Sequence, residues 1–224
     1  MIILNVAGND IVDLKSPEAR GKSLDIRFME RTLTVREREA TGRSAHPDRL
    51  LWAFWAAKET AYKTISKIHP DISSSPRRYG VLLAGEAESG PLIHAASGVV
   101  NTPEGQVPVC VMFHADYVHC IGGYCLTENL DGMNWGVGII DEIPESGENK
   151  SVSERESYSA RFLAASKLAD IFHCHPRDVF ISRQNHRLGT GPPKVYVRGK
   201  PADLDISLSH DGRFVAFAVN RFYN

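Results

Sequence analysis

Residues 54–65 read Phe54-Trp55-Ala56-Ala57-Lys58-Glu59-Thr60-Ala61-Tyr62-Lys63-Thr64-Ile65. At 100° per residue Phe54, Ala57, Ala61 and Ile65 form one apolar stripe, which predicts the middle of a long helix over about residues 47–68. A second helix is expected over about residues 157–173. There Phe162-Leu163-Ala164-Ala165 matches Phe54-Trp55-Ala56-Ala57, and Ala169 matches Ala61. Each helix is followed by β-rich chain. Strands are expected at 79–84, 92–100, 107–114 and 118–124 after the first, and at 179–183, 194–197, 204–209 and 213–219 after the second. A strand over residues 2–12 precedes both. A shorter helical stretch over 25–40 is restarted by a Thr34/Glu37 capping box.

The shared element order and matching letters indicate a duplicated α+β unit. The expected fold class is therefore α+β, a pseudo-dimer of two similar subdomains, each a helix with an antiparallel sheet. Residues 1–126 form the first, 127–156 a connector rich in acids, glycine and serine, and 157–224 the second. A cleft between two such units is a natural ligand site.

Composition narrows the function classes. The chain has 224 residues, 42% hydrophobic and 24% charged, which suffices for a core and excludes disorder as the main state. Lys and Arg total 26 against 27 Asp and Glu, so there is no basic excess of the kind phosphate neutralisation demands, and no nucleic-acid partner is expected. No run approaches the ~20 apolar residues that cross a bilayer, and no membrane partner is expected. Residues 1–6 are apolar but lack a basic flank and a cleavage pattern, and four cysteines make no dense disulfide framework. A cytoplasmic protein is expected.

Three short segments carry side chains suited to chemistry. Asp10 ends the first strand after Gly8-Asn9. Taken alone it is a turn residue. Glu59 and Lys63 lie one turn apart on the helix, and taken alone they are a surface ion pair worth about 0.3 kcal/mol. Taken together, Asp10 and Glu59 can converge on one hard divalent cation such as Mg²⁺, which takes one or two carboxylates plus phosphate oxygens and water. Ile206-Ser207-Leu208-Ser209-His210-Asp211-Gly212-Arg213 is a strand running into a tight turn, which presents His210 at an exposed strand end. His114, His119, Cys120 and Cys125 lack zinc-ligand spacing. The glycines of 188–193 do not form a nucleotide loop between a strand and a helix.

Gly8-Asn9-Asp10-Ile11-Val12-Asp13 with Trp55-Ala56-Ala57-Lys58-Glu59-Thr60-Ala61-Tyr62-Lys63 resembles the signature pair of the 4′-phosphopantetheinyl transferase superfamily, Gly-x-Asp followed by Trp/Phe-x-x-Lys-Glu-x-x-x-Lys. Ser207-Leu208-Ser209-His210 resembles its third motif. The segment from Arg27 to Thr34 is similar to the helix after Gly-x-Asp in holo-acyl-carrier-protein synthases. The motif order is that of those small synthases, but the chain is about as long as the two-domain, surfactin-synthetase-activating type. The resemblance therefore implies the two-domain fold with its halves in exchanged order, in a monomer.

The implied reaction is Mg²⁺-dependent transfer of the 4′-phosphopantetheinyl group from coenzyme A to a serine of an acyl or peptidyl carrier protein, releasing 3′,5′-ADP. The carrier would serve fatty-acid, polyketide or nonribosomal peptide synthesis. By resemblance Asp10 and Glu59 are the metal ligands. Glu59, Lys63 and His210 are catalytic, with Glu59 the candidate base. Lys58, Lys63, Arg161, Gly191, Pro193, Ser209 and His210 contact coenzyme A, with Gly191-Pro192-Pro193 a turn on the adenine side. Val12 stands where the two-domain type often has a further metal carboxylate, which leaves two. Carrier proteins are usually acidic, so Arg27, Arg31 and Arg36 are candidate docking residues; the other reading makes them part of a solvated helix face. Two alternatives use the same residues: a coenzyme A- or carrier-binding protein without transfer, and a Mg²⁺-dependent hydrolase of the coenzyme A pyrophosphate.

Overall fold

The computed structural model describes residues 5–84, 94–124, 130–143, 151–186 and 189–221. Its first part holds β1 (Val6–Asp13), α1 (Ile26–Thr32), α2 (Val35–Arg43), α3 (Pro47–Ile65), β2 (Gly80–Leu83), β3 (His94–Thr102), β4 (Gly105–Phe113) and β5 (Tyr117–Tyr124). The rest holds β6 (Asn134–Ile139), α4 (Val152–Phe172), β7 (Val179–His186), β8 (Gly189–Val197), β9 (Lys200–Pro201), β10 (Leu204–Asp211) and β11 (Phe214–Arg221). The fold is mixed α+β, with three antiparallel sheets ordered β1-β5-β4-β3-β2, β10-β11-β6 and β7-β8-β9.

One core lies between α3 and the five-stranded sheet. The strand period puts Val107, Val109, Val111 and Phe113 of β4 on one face, and there they meet Ala53, Phe54, Ala57, Ala61 and Ile65 of α3. Twelve of the nineteen α3 residues are buried, so this is a central helix with no broad solvated face. A second core joins Ala160, Ala164 and Leu168 of α4 to Ile206, Leu208, Val215 and Phe217. Two smaller clusters, Ala7 with Ile121, Met133 and Ala218, and Ile11 with Phe214 and Ala216, hold the two parts together.

Thr34 and Glu37 form the expected capping box at the start of α2. Two expectations need correction. The stretch 127–156 is not merely a connector. β6 pairs with β11, and α4 starts at Val152 because Ser151 and Glu154 make a second capping box. Gly191 and Pro193 are not in a turn: both lie within β8, where Pro193 is in register with Arg183 of β7. Cys125 lies outside the described residues.

β1 is the edge of its sheet, and its free edge needs partners. Side chains supply them. The N–H groups of Ala7, Asn9 and Asp13 donate to Asp205 Oδ2 (2.8 Å), Ser207 Oγ (3.0 Å) and Asp211 Oδ2 (2.7 Å), all on β10. The carbonyl of Asn9 accepts from Lys63 Nζ (3.1 Å) and that of Ala7 from Lys67 Nζ (2.7 Å). Lys67 also donates to Asp205 Oδ2 and to the Ile206 carbonyl. Asp13 accepts two side-chain hydrogen bonds from Arg213, at 2.8 and 2.7 Å. The strand that carries Asp10 and the strand that carries His210 are thereby fixed side by side.

Candidate active site

Asp10 sits inside β1, opposite Cys120 of β5; the strand runs on to Asp13 and does not end at Asp10 as expected. The chain approaches α3 closely here: a Cβ on Gly8 would lie 2.3 Å from the Thr60 carbonyl oxygen and 2.4 Å from Thr64 Oγ1. Only glycine lets β1 lie this near α3, which is the physical reason for the glycine of Gly-x-Asp. Across that contact Lys63 Nζ donates to Asp10 Oδ1 at 2.7 Å. Glu59 stands one helical turn before Lys63. Burial, then the Asp10 charge, pushes its carboxyl up to about 7, with Lys63 opposing. Asp10 is itself raised by burial, against the pull of Lys63 and His210.

His210 enters from β10. Its Nδ1 is 3.2 Å from Glu156 Oε2 of α4. Burial lowers its pKa, aided by Lys63 and Arg183 and opposed by Glu156 and Asp10. Two cavities meet at this ring. One, of about 280 Å³, is lined by Asp10, Asp211, Glu18, Phe28, Trp52 and Trp55, among others. The other, of about 300 Å³, is lined by Lys63, Arg161, Arg183, Ser157 and Ser209. One side of His210 is thus acidic and aromatic and the other is cationic.

Asp10, Lys63 and His210 are therefore brought together at the cavities, and Glu59 lies near enough to feel the charges of Asp10 and Lys63. Arg161 and Ser209 line the cationic cavity; Arg161 donates to Ser157 Oγ, and the Ser209 hydroxyl donates to Asn9 Oδ1. Lys58 is the exception. It is 1% exposed, forms an ion pair with Glu37 (2.7 Å) and donates to the carbonyls of Thr32 and Pro76. The α3 turn that aims Lys63 at Asp10 aims Lys58 into the first core, so it braces α2 against α3 in place of the expected coenzyme contact.

Asp10 and Glu59 suit a hard divalent cation. They are two oxygen donors, partly buried, whose mutual repulsion a cation would relieve. Among the described residues no group of three or more His, Cys, Asp or Glu is placed to hold a metal. Asp13 points to the other side, towards Arg213; burial would raise its pKa, but hydrogen bonds from Arg213 and Lys15 hold it below the usual range.

Residues 7–82 match the model of the 4′-phosphopantetheinyl transferase superfamily. This segment is a domain of that superfamily. It holds Asp10, Lys58, Glu59 and Lys63, while Arg161, Gly191, Pro193, Ser209 and His210 lie beyond it. No curated protein matches the chain.

The superfamily motifs do not include Glu156, Arg183 or Asp211, which the sequence analysis missed. Asp211 follows His210 directly and reads as a turn residue. Burial and then the Asp10, Asp13 and Glu156 charges push its carboxyl up to about 6, against one hydrogen bond from the Asp13 N–H. The signal for Glu156 was the Ser151-x-x-Glu154 capping box, which would have extended α4 to include it. Arg183 had no sequence signal, because only the packing of β7 against α4 brings it to the cavity.

Proposed function

We propose that the chain transfers the 4′-phosphopantetheinyl group of coenzyme A to a serine hydroxyl of an acyl or peptidyl carrier protein, releasing 3′,5′-ADP. The observation that carries this reading is the meeting of Asp10 and Lys63, with Glu59 one helical turn before Lys63, all from the superfamily domain, with His210, from the far end of the chain, where an acidic and a cationic cavity adjoin. The family model alone reaches only the first three.

Coenzyme A carries a 3′-phosphate and a pyrophosphate at one end of a long neutral arm, and a cationic cavity beside one whose carboxylates can hold a cation suits it. Arg161 and Arg183 offer planar donor forks to the nucleotide phosphates. Gly191 and Pro193 of β8, beside Arg183, form the adenine side. Lys63 and His210 stand where the pyrophosphate would bridge the cavities and donate to its oxygens. Mg²⁺ bound by Asp10 and Glu59 supplies charge neutralisation at that pyrophosphate. Glu59 is the candidate to take the serine proton. Ser209 braces the site through Asn9.

An acidic carrier needs a docking surface near the acidic cavity. Leu24, Ile26 and Val35 are 82%, 71% and 60% exposed, and Arg27, Arg31 and Arg36 are exposed on the same short helices. Exposed apolar and arginine side chains together on this stretch support carrier docking there. We assign the residues up to 126 and those from β6 onward to two subdomains of one monomer, related to the two-domain enzymes by exchange of halves, and place the protein in the cytoplasm. Among the described residues no helix is long and apolar enough to cross a membrane.

Nucleotide release tests this reading. With coenzyme A and Mg²⁺, 3′,5′-ADP should appear only when an apo-carrier is present. Release without a carrier identifies a pyrophosphate hydrolase. Binding of coenzyme A with no release identifies a binding protein. His210→Ala should weaken coenzyme A binding in calorimetry while leaving the melting temperature nearly unchanged.

A further inference from the structure

Glu156 has no place in the superfamily motifs, yet it touches the one side chain common to the linings of both cavities. It lies in the second turn of α4 with its side chain 19% exposed. The following positions on that face, Ser157, Ala160 and Arg161, line the cationic cavity. A carboxylate has no hydrogen to give, so the ring nitrogen that faces Glu156 Oε2 at 3.2 Å is the one its charge favours to carry hydrogen. In imidazole the state of one nitrogen determines what the other can do. The Nδ1 contact therefore favours one tautomer and one rotation of the ring.

We infer that Glu156 is a positioning residue: it holds the His210 imidazole at the boundary of the two cavities with Nδ1–H turned to α4, so that Nε2 is the edge that meets the pyrophosphate of coenzyme A. The role towards coenzyme A rests on the transferase reading; the ring placement and tautomer do not. The other charged groups that act on the ring are Lys63 of α3, Asp10 of β1 and Arg183 of β7. None belongs to α4, so removing Glu156 deletes the anchor and leaves these three in place; Asp211, whose carboxyl the Glu156 charge also raises, is the cavity group that responds.

The test uses the full chain. Nitrogen NMR of the His210 ring, above its titration and without substrate, should show hydrogen on Nδ1 and a bare Nε2. Glu156→Gln retains an acceptor oxygen and should retain that tautomer; Glu156→Ala should shift the ring towards Nε2–H. In the transfer assay Glu156→Ala should lower kcat/KM for coenzyme A about tenfold, the effect of a ring no longer held in place, and Glu156→Gln should recover most of it. In a His210→Ala background, Glu156→Ala should add almost nothing. A ring tautomer unchanged in Glu156→Ala, or losses that add in the double variant, would overturn the inference. If the wild type transfers nothing, the transferase reading fails while the NMR arm still decides the placement.

Discussion

With its pKa near 7, the Glu59 carboxyl exchanges its proton around neutrality, and this gives the site a pH dependence whose sign can be worked out. The folded pKa lies above the ordinary value of 4.5, so the folded state holds the extra proton between about pH 4.5 and 7. Stability contributed by that proton is present below the window and is lost as pH rises through it. A cation bound by Asp10 and Glu59 competes with the proton. Mg²⁺ should therefore raise the melting temperature little at about pH 6 and by several degrees at about pH 8, and equal shifts at both would contradict the metal assignment. Glu59→Gln should stabilise the metal-free protein at about pH 8 by on the order of 1 kcal/mol and abolish the Mg²⁺ effect. At this scale Asp10, Glu59, Lys63 and His210 were legible because each lies in a motif of fixed spacing. Glu156 and Arg183 were not, since their relevance comes from tertiary packing alone.

The elements show why the motifs look as they do. Gly8 is demanded by the contact of β1 with α3, and Gly8→Ala should cost about 2–4 kcal/mol in chemical denaturation by driving a methyl into the Thr60 carbonyl. It should also misplace Asp10 against Lys63. Glu37 illustrates a different constraint. Its carboxylate accepts from Lys58, from Thr34 N and from Val81 N. Glu37→Ala strands a buried ammonium and should destabilise by about 3–5 kcal/mol, whereas a surface ion pair would lose under 1. Helix and strand positions in the first half were readable from periodicity and the capping box. The polar row of β10 was readable but unread. Asp205, Ser207, Ser209 and Asp211 alternate with Ile206 and Leu208, and a polar row opposite a core row can mean solvent or a second partner. Here it is a partner, the free edge of β1.

At the scale of the whole molecule, that edge turns two cores into one cooperative unit. Lys67 joins Ala7 to Asp205 and Ile206, and Asp13 clamps Arg213 beside Gly212, where a Cβ would come within 2.7 Å of Asp13 Oδ2. Lys67→Met should destabilise by about 2–4 kcal/mol while leaving unfolding a single transition. Far-UV circular dichroism should coincide with the fluorescence of Trp52, Trp55 and Trp135, which report on both parts. Separate transitions would mean that the junction does not couple them. The pairing of two α+β units was foreseeable from the repeated helix pattern, but their docking through side chains capping one strand edge was not, because no local pattern records which edge is left free. The central claim is that Asp10, Glu59 and His210, far apart in the chain, act together on coenzyme A at a carrier serine. Intact-mass spectrometry of apo-carriers incubated with coenzyme A, Mg²⁺ and the protein tests it most directly. The account predicts one added phosphopantetheinyl group per carrier with the wild type and none with Glu59→Ala; equal loading by both, or an unmodified carrier with folded wild type across acyl and peptidyl carriers, would contradict it.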